Sequence, residues 1–330
     1  MRKALIVGID DYPQAPLSGC VNDANAIATL LSTNGDGSPN FSIRSLTSNN
    51  KNVTRSVIQD AVSDLFSGDA ETAVFYFAGH GFINLETNAG YIVTEDGERG
   101  AWGFALSELL QIANKAYPRI RSSVIILDCC HAGFAGEVSG LGSDGQVSVI
   151  GNGVTILTAC QRQETAGEVN GQGVFTSILI DGLQGSSADI CGKITPASVY
   201  SHVDQTLGPW EQRPVYKANV QSFVVLRQVD PKIPLDVLRR LPTLFPDPSH
   251  MFALDPSFEP DRGEEHEKLK NIPVDPDNER TYRDLQRCYR HGLVLPVDQP
   301  HMWHAAVHST GCRLTALGAH YRNLAKMGRI

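Results

Sequence analysis

Short apolar runs alternate with segments of helical spacing along the first 227 residues. The runs 3–9, 72–78 and 122–128 are rich in β-branched and aromatic residues, which indicates buried strands. Segment 19–31 instead repeats apolar residues at intervals of three and four, which predicts an amphipathic helix. Further strands are predicted at 41–46 and 154–160 with a hairpin near 90–94, and further helices at 54–66, 105–116, 174–184 and from Thr195-Pro196 onward. This alternation predicts an α/β fold with a mostly parallel sheet that helices cover on both faces.

A histidine and two cysteines directly follow two of these strands. Gly79-His80-Gly81 comes after 72–78, and Cys129-Cys130-His131 comes after 122–128. Because sites in such sheets lie beyond the carboxyl ends of the strands, we expect these residues to lie close together. A cysteine attacks a carbonyl carbon as a thiolate and needs a base within reach, so the pattern indicates a Cys/His nucleophilic pair. The alternative is that the thiols are buried and inert and that the histidine only stabilises its loop.

Composition and charge narrow the class of protein. Of 330 residues, 42% are hydrophobic and 19% are charged, which is typical of a globular protein and argues against a disordered or fibrous one. The formal net charge is -8, and the seven cysteines are scattered rather than arranged as a secreted disulfide framework. The apolar run 4–9 is too short for a signal peptide or a membrane span, so we predict a cytoplasmic protein without membrane association.

Two strings closely resemble the active-site motifs of the caspase and metacaspase clan of cysteine peptidases. They are FYFAGHG at 75–81 and ILDCCHAG at 126–133, in the order and at the spacing typical of that clan. LSGCVNDA at 17–24, LTACQRQETAGE at 157–168 and GVFTSILIDGL at 173–183 extend the resemblance over nearly all of residues 1–227. The resemblance implies a caspase-like three-layer sandwich with a mostly parallel six-stranded sheet, and the activity of a cysteine endopeptidase of prokaryotic type.

The same resemblance implies a role for each motif residue. Cys130 stands two residues after Asp128, where metacaspases carry the nucleophile, and His80 stands at the position of the base. The backbone N–H groups of Gly81 and Cys130 would then stabilise the oxyanion. Cys129 would point into the sheet as a small apolar residue, because neighbours in a strand face opposite sides.

Two acidic residues match positions that line the specificity pocket of metacaspases. A pocket with Asp23 and Asp128 would bind Arg or Lys before the scissile bond. Caspases instead select Asp, and their pentapeptide QACRG is absent here. The alternatives are that Asp23 caps its helix and that Asp128 binds backbone N–H groups at its strand end.

We predict no cofactor and no metal for this domain. Some metacaspases need calcium, which they bind through acidic residues after the strand that corresponds to 154–160. Arg162 stands where such a carboxylate is expected, so a calcium requirement is disfavoured, although Glu164, Glu168 and Asp96 could still assemble a site.

The remaining sequence differs in composition. Seven prolines in 231–260 predict an extended linker over 228–262. Beyond it the pattern resembles a winged-helix module over 263–330, with helices predicted at 281–292 and 316–327 and a two-stranded excursion at 302–315. We expect this module to bind a regulatory protein partner.

Charged and histidine residues of this module raise further alternatives. One face of the first helix carries four arginines that would suit nucleic acid or an acidic protein, or form a solvated face: Arg280, Arg283, Arg287 and Arg290. Four residues have the side chains of a zinc site: His301, His304, His308 and Cys312. A strand at 302–308 would place the first histidine opposite the other two, which disfavours zinc.

Together these features predict a cysteine endopeptidase that cleaves protein substrates after Arg or Lys and acts as a regulated stress or defence effector. Two alternatives stay open. The chain could be a catalytically silent caspase-like scaffold, or a nucleic-acid- or protein-binding regulator that acts through its C-terminal module.

Overall fold

A computed structural model describes residues 1–84, 86–87, 89–129, 137–138, 147–148, 150–159, 168–169, 171–209 and 213–330. These residues form two compact units. The first consists of 1–188 and 193–230, and the second of 189–192 and 231–330. None of the described helices is both long and apolar enough to cross a membrane.

The first unit alternates strands and helices, as its sequence pattern predicts. In chain order its elements are β1 (Arg2–Gly8), α1 (Cys20–Ser32), β2 (Ser42–Thr47), α2 (Arg55–Leu65), β3 (Ala70–Ala78), β4 (Gly81–Asn84), β5 (Ala89–Glu98), β6 (Ala101–Ala105), α3 (Leu106–Ala116), β7 (Ile120–Asp128), β8 (Glu137–Val138), β9 (Val147–Ser148), β10 (Val154–Thr158), β11 (Glu168–Val169), β12 (Gln172–Gly173), α4 (Val174–Asp181), β13 (Lys193–Ile194), α5 (Pro196–Leu207), β14 (Val215–Ala218) and β15 (Arg227–Gln228).

Six strands form the central sheet in the order β14-β10-β7-β3-β1-β2. Neighbouring strands are parallel except for the edge strand β14, which pairs antiparallel with β10. The predicted mostly parallel six-stranded sheet is therefore confirmed. At its carboxyl end Gly8 pairs with Ala78, and Ala78 pairs with Asp128, so β1, β3 and β7 end at the same level.

Helices cover both faces of this sheet because its strands are apolar on both sides. Phe75 and Leu127 face one cluster, which they share with Leu109 of α3. Their sequence neighbours Tyr76 and Ile126 face the other cluster, together with residues of α1, α4 and α5. Alternate residues of one strand thus enter separate cores, which gives the three layers.

A small antiparallel sheet follows the third strand of the large one. Its order is β4-β5-β6, so the hairpin predicted near 90–94 is part of a three-stranded sheet. Strand β4 begins at Gly81, immediately after His80. The small sheet therefore stands directly beside the histidine.

The second unit combines helices with a three-stranded antiparallel sheet. Its elements are α6 (Leu235–Leu244), β16 (Met251–Ala253), α7 (His266–Leu269), α8 (Pro276–Arg290), β17 (Val294–Pro296), α9 (Met302–Val307), β18 (Gly311–Leu314) and α10 (Ala316–Lys326). The strand order is β16-β18-β17.

The structure differs from the extended linker expected at 228–262, because that segment contains α6 and β16. Val237, Leu238 and Leu241 of α6 are buried in the same core as Leu285 of α8. Pro234 stands just before the first residue of α6, where a missing N–H leaves no bond unmade, and Pro242 lies in the last turn, where it removes one intrahelical hydrogen bond.

The two-stranded excursion predicted at 302–315 is wrong in its first half. Residues 302–307 form helix α9, and the strand begins only at Gly311. Met302, Ala305 and Ala306 are buried at the spacing of a helix, and tertiary packing rather than length stabilises so short an element. Strand β18 pairs antiparallel with β17 rather than with a strand at 302–308.

The helix also changes the arrangement of the histidines. The His304 ring lies 5.8 Å from the rings of both His301 and His308, so the three are adjacent rather than on opposite faces. Burial raises the pKa of the Cys312 thiol to about 12, which opposes a thiolate ligand. Among the described residues, no group of three or more His, Cys, Asp or Glu side chains could hold a metal ion.

The predicted arginine face lies on α8 and is largely ion-paired. Three arginines pair with acidic residues about one turn earlier, at 3.5, 2.6 and 3.5 Å: Arg280 with Asp277, Arg283 with Glu279, and Arg287 with Asp284. This pairing weakens the positive potential that nucleic-acid binding needs.

Replacement of Leu285 by Ala should lower the free energy of unfolding of the second unit by about 2–5 kcal/mol, because the side chain is fully buried in its core. Leu295→Ala is the matched control, since Leu295 is 44% exposed and its loss should cost less than about 0.5 kcal/mol. Urea denaturation followed by circular dichroism measures both, and equal losses would contradict this account of the core.

Candidate active site

His80 follows β3 at the carboxyl end of the sheet, and its ring is held by a backbone carbonyl. Its Nε2 lies 2.7 Å from the carbonyl oxygen of Ala15. A carbonyl can only accept a hydrogen bond, so Nε2 carries the proton in this contact. In the neutral imidazole, Nδ1 is then left with the lone pair that a general base needs.

The loop that supplies this carbonyl is fixed by Asp10. The Asp10 carboxylate accepts hydrogen bonds from the N–H groups of Cys20 and Val21, at 2.9 and 3.2 Å, at the start of α1. The backbone carbonyl of Asp10 accepts from the N–H of Leu17 at 2.9 Å. Loop 10–19 is thus closed at both ends, which holds Ala15 against the histidine.

Tyr12 of the same loop holds the backbone of His80. Its ring centroid lies 4.5 Å from that of His80, and its hydroxyl accepts a hydrogen bond from the His80 N–H at 3.0 Å. The hydroxyl also donates to the carbonyl of Val93 at 3.3 Å. Burial holds the pKa of Tyr12 well above its usual value, so the hydroxyl keeps the proton that it donates.

The glycine before the histidine is required by this contact. A Cβ at Gly79 would lie 2.4 Å from the Tyr12 hydroxyl and 2.7 Å from the ring of Phe77. A side chain there would push Tyr12 away from His80. The glycine after the histidine, Gly81, begins β4, where it pairs with Ile92.

The structure describes only one of the two adjacent cysteines. Cys129 is buried in the same cluster as Phe77 and Leu127. Cys130, the predicted nucleophile and part of the predicted oxyanion hole, lies outside the described residues, as does Arg162, which bears on calcium.

Asp23 and Asp128 are both buried and both bind the N-terminus of α4. Asp23 Oδ2 accepts from the N–H of Gly173 at 2.9 Å. Asp128 Oδ2 accepts from the N–H and from the hydroxyl of Thr176, at 3.2 and 2.6 Å. The helix dipole favours negative charge at this position, which lowers the cost of burying two carboxylates.

Gly173 brings the two carboxylates together. A Cβ on it would lie 2.4 Å from Asp128 Oδ2 and 3.1 Å from Asp23 Oδ2, so both oxygens converge on one point. The sequence comparison predicted this pair, although it did not predict that α4 would hold it.

A buried tyrosine lies at the same point. The Thr176 hydroxyl donates to Asp128, so it accepts the hydroxyl proton of Tyr76 across 2.6 Å. Burial first, and then the negative charges of Asp128 and Asp23, hold the pKa of Tyr76 well above its usual value. Tyr76 therefore remains a neutral donor that supports the carboxylate pair.

Comparison with known proteins gives the family of this chain. Residues 1–224 match the caspase domain family. The chain belongs to this family. Membership implies a function of the cysteine peptidase type.

The caspase domain also has structural relatives. Protein GSU0716 from Geobacter sulfurreducens is 15% identical, with a TM-score of 0.50 over 69% of this chain and 97% of that chain. Caspase-1 from Spodoptera frugiperda is 11% identical, with a TM-score of 0.49 over 69% of this chain and 90% of that chain. A comparison with curated protein sequences gave no match. At such identities the likeness concerns the fold alone.

Several residues of the site escaped the sequence analysis. Ala15 contributes only a backbone carbonyl, for which a sequence carries no signal. Tyr12 and Thr176 meet residues far away in the chain, so their contacts depend on tertiary structure. Asp10 did leave a signal, because an acidic residue in the loop before a helix is able to bind its first N–H groups.

Gly173→Ala should lower the free energy of unfolding of the caspase domain by about 1–3 kcal/mol, because the added methyl group meets the Asp128 carboxylate at 2.4 Å. Gly182→Ala is the control, since its φ of -57° is helical and its Cβ would meet no atom closer than 3.3 Å. Thermal unfolding of both variants tests this, and an unchanged Gly173→Ala protein would contradict the described packing.

Proposed function

We propose that this protein is a cysteine endopeptidase with Cys130 as nucleophile and His80 as base. The hydrogen bond between His80 Nε2 and the carbonyl of Ala15 carries the proposal, because it leaves Nδ1 as the basic nitrogen. The third group that orients the base is thus a backbone carbonyl rather than a carboxylate.

The proposed reaction has two halves. His80 Nδ1 takes the thiol proton of Cys130, and the thiolate forms a C–S bond to the scissile carbonyl carbon. The N–H groups of Gly81 and Cys130 stabilise the oxyanion, and protonated His80 gives its proton to the leaving amine as the C–N bond breaks. Water, deprotonated by His80, then attacks the thioester; the C–S bond breaks to give a carboxylic acid, which loses its proton to solvent, and His80 returns its proton to the thiolate.

We propose Arg or Lys as the residue before the scissile bond. Asp23 and Asp128 place two carboxylates within reach of one point, which suits a guanidinium or an ammonium group. Each carboxylate has about four lone-pair sites, so it can bind α4 and a substrate cation together. The bonds to α4 hold the carboxylates in place before substrate arrives, which reduces the entropy cost of binding.

The second unit is proposed as the regulatory part of an effector that acts in the cytoplasm. A partner protein bound through residues 263–330 would control the peptidase in stress or defence. Nucleic acid is the weaker candidate for this partner, because three of the four arginines on α8 already pair with acidic side chains. A catalytically silent scaffold is the alternative to the peptidase itself.

Cys130→Ala should abolish peptide hydrolysis, a loss of at least about 10⁴-fold in kcat, because no other thiol replaces the nucleophile. Cys129→Ala is the matched control: Cys129 is buried, and its variant should keep most of the activity. Fluorogenic peptide assays on both purified proteins, with thermal unfolding to confirm folding, measure the difference. Activity in folded Cys130→Ala protein would overturn the mechanism.

For peptides that differ only in the residue before the fluorophore, kcat/KM should depend on the charge of that residue. We expect kcat/KM for Arg and Lys to exceed that for Asp by at least about 100-fold, because a buried carboxylate pair binds a cation and repels an anion. A panel with Arg, Lys, Ala, Asp and Glu at that position measures this. Cleavage of the Asp peptide alone would refute the basic specificity.

A further inference from the structure

A cavity of about 540 Å³ opens beside His80. Six side chains give it its chemical character: His80, Phe82, Glu95, Asp96, Glu98 and Trp102. They come from the loop after β3 and from the small sheet. Neither Asp23 nor Asp128 lines this cavity, so it is separate from the site proposed for the residue before the scissile bond.

One wall of the cavity is aromatic. The rings of Phe82 and Trp102 lie 4.0 Å apart with an interplanar angle of 30°. Both side chains are only partly buried, so the cavity exposes an apolar, electron-rich surface to an incoming ligand.

Three carboxylates of β5 make another part of the cavity acidic. Asp96 Oδ1 accepts from the N–H of Arg55 at 2.9 Å and from the Thr94 hydroxyl at 2.6 Å. Glu95 Oε2 accepts from the N–H of Val53 at 3.0 Å, while its Oε1 is buried and has no hydrogen-bond partner among the described residues. Glu98 is exposed at the edge of the cavity.

Little positive charge offsets these carboxylates. None of the described residues that line the cavity is a lysine or an arginine. The guanidinium of nearby Arg55 pairs with Glu108 at 3.2 Å, outside the lining. The cavity therefore has a negative potential.

Because His80 lines the cavity, its proposed role indicates which part of a substrate lies there. In the proposed reaction His80 protonates the amine that leaves, so the residues after the scissile bond run along His80. The residue before that bond goes to the carboxylate pair of Asp23 and Asp128. The cavity therefore lies on the leaving side of the substrate.

We propose that this cavity is a second specificity site, which binds a Lys or Arg side chain among the first three residues after the scissile bond. The inference rests on the proposed peptidase function. The aliphatic stem of the side chain packs on Phe82 and Trp102, and its cationic end meets the aromatic face and the carboxylates of β5. Substrates are thus selected for basic residues on both sides of the cleaved bond.

The test uses quenched fluorescent peptides with Arg fixed before the bond and Lys, Leu or Glu placed in turn at each of the next three positions. Wild type should cleave the best Lys peptide about tenfold faster than its Glu counterpart in kcat/KM, from one cation–π contact and partly exposed ion pairs. In the double variant Asp96→Asn/Glu98→Gln this ratio should fall to about twofold or less.

Glu86→Gln is the matched control, because Glu86 is an exposed carboxylate between β4 and β5 that does not line the cavity, and its variant should keep the tenfold ratio. A preference for Leu over Lys overturns the inference, and so does a Lys preference that the double variant retains.

A short fluorogenic Arg substrate, with no residue after the bond, separates this inference from the proposed function. If wild type cleaves it and the longer peptides show no dependence on the following residues, only the second site is refuted. If wild type cleaves neither kind of substrate, the peptidase proposal is refuted and the second site with it.

Discussion

The parallel register of β1, β3 and β7 is the constraint on which the site depends. Gly8, Ala78 and Asp128 end their strands at one level, so the segments that follow them meet at one edge of the sheet. The loop after β1 brings Ala15 and Tyr12, and the loop after β3 brings His80. A shift of β3 by one residue would turn each of its side chains to the opposite core, and the register is therefore strongly specified.

The carboxylate pair stabilises the fold and is also the proposed specificity site. Asp23 and Asp128 bind the first N–H groups of α4, and the same two oxygens converge at Gly173. Asp128 binds a backbone N–H group, as the strand-end alternative expected, whereas Asp23 binds the N–H of Gly173 and does not cap its own helix α1. A carboxylate pair held in this way is compatible with the proposed specificity pocket. Stability and substrate preference should accordingly be coupled at this point of the caspase domain.

Charge is distributed differently in the two units. The caspase domain has negative potential at the buried pair and again in the cavity beside His80, and both suit basic substrates. The second unit offsets most of the arginines on α8 within the helix itself. An electrostatic interaction with nucleic acid is therefore the weaker of the two proposals for this unit.

Local patterns in the sequence determined the order of strands and helices in the caspase domain, because long apolar runs and helical spacing depend on near neighbours. The motifs around His80 and Asp128 likewise predicted that the ends of β3 and β7 lie at the candidate site. Weak local patterns misled where tertiary packing decided the outcome. Residues 302–307 are too short a segment for periodicity to distinguish helix from strand, and the prolines of 231–260 concealed the amphipathic helix α6.

Only the tertiary structure decided how the site is assembled. The tautomer of His80 depends on a backbone carbonyl 65 residues earlier in the chain, and the hydroxyl of Tyr12 meets the His80 N–H across 68 residues. Backbone groups have the same chemistry in every residue, so a sequence does not mark the one that will orient a histidine ring. The sequence by itself determined which reactive side chains this protein carries, whereas the fold decided which of their atoms lie close together.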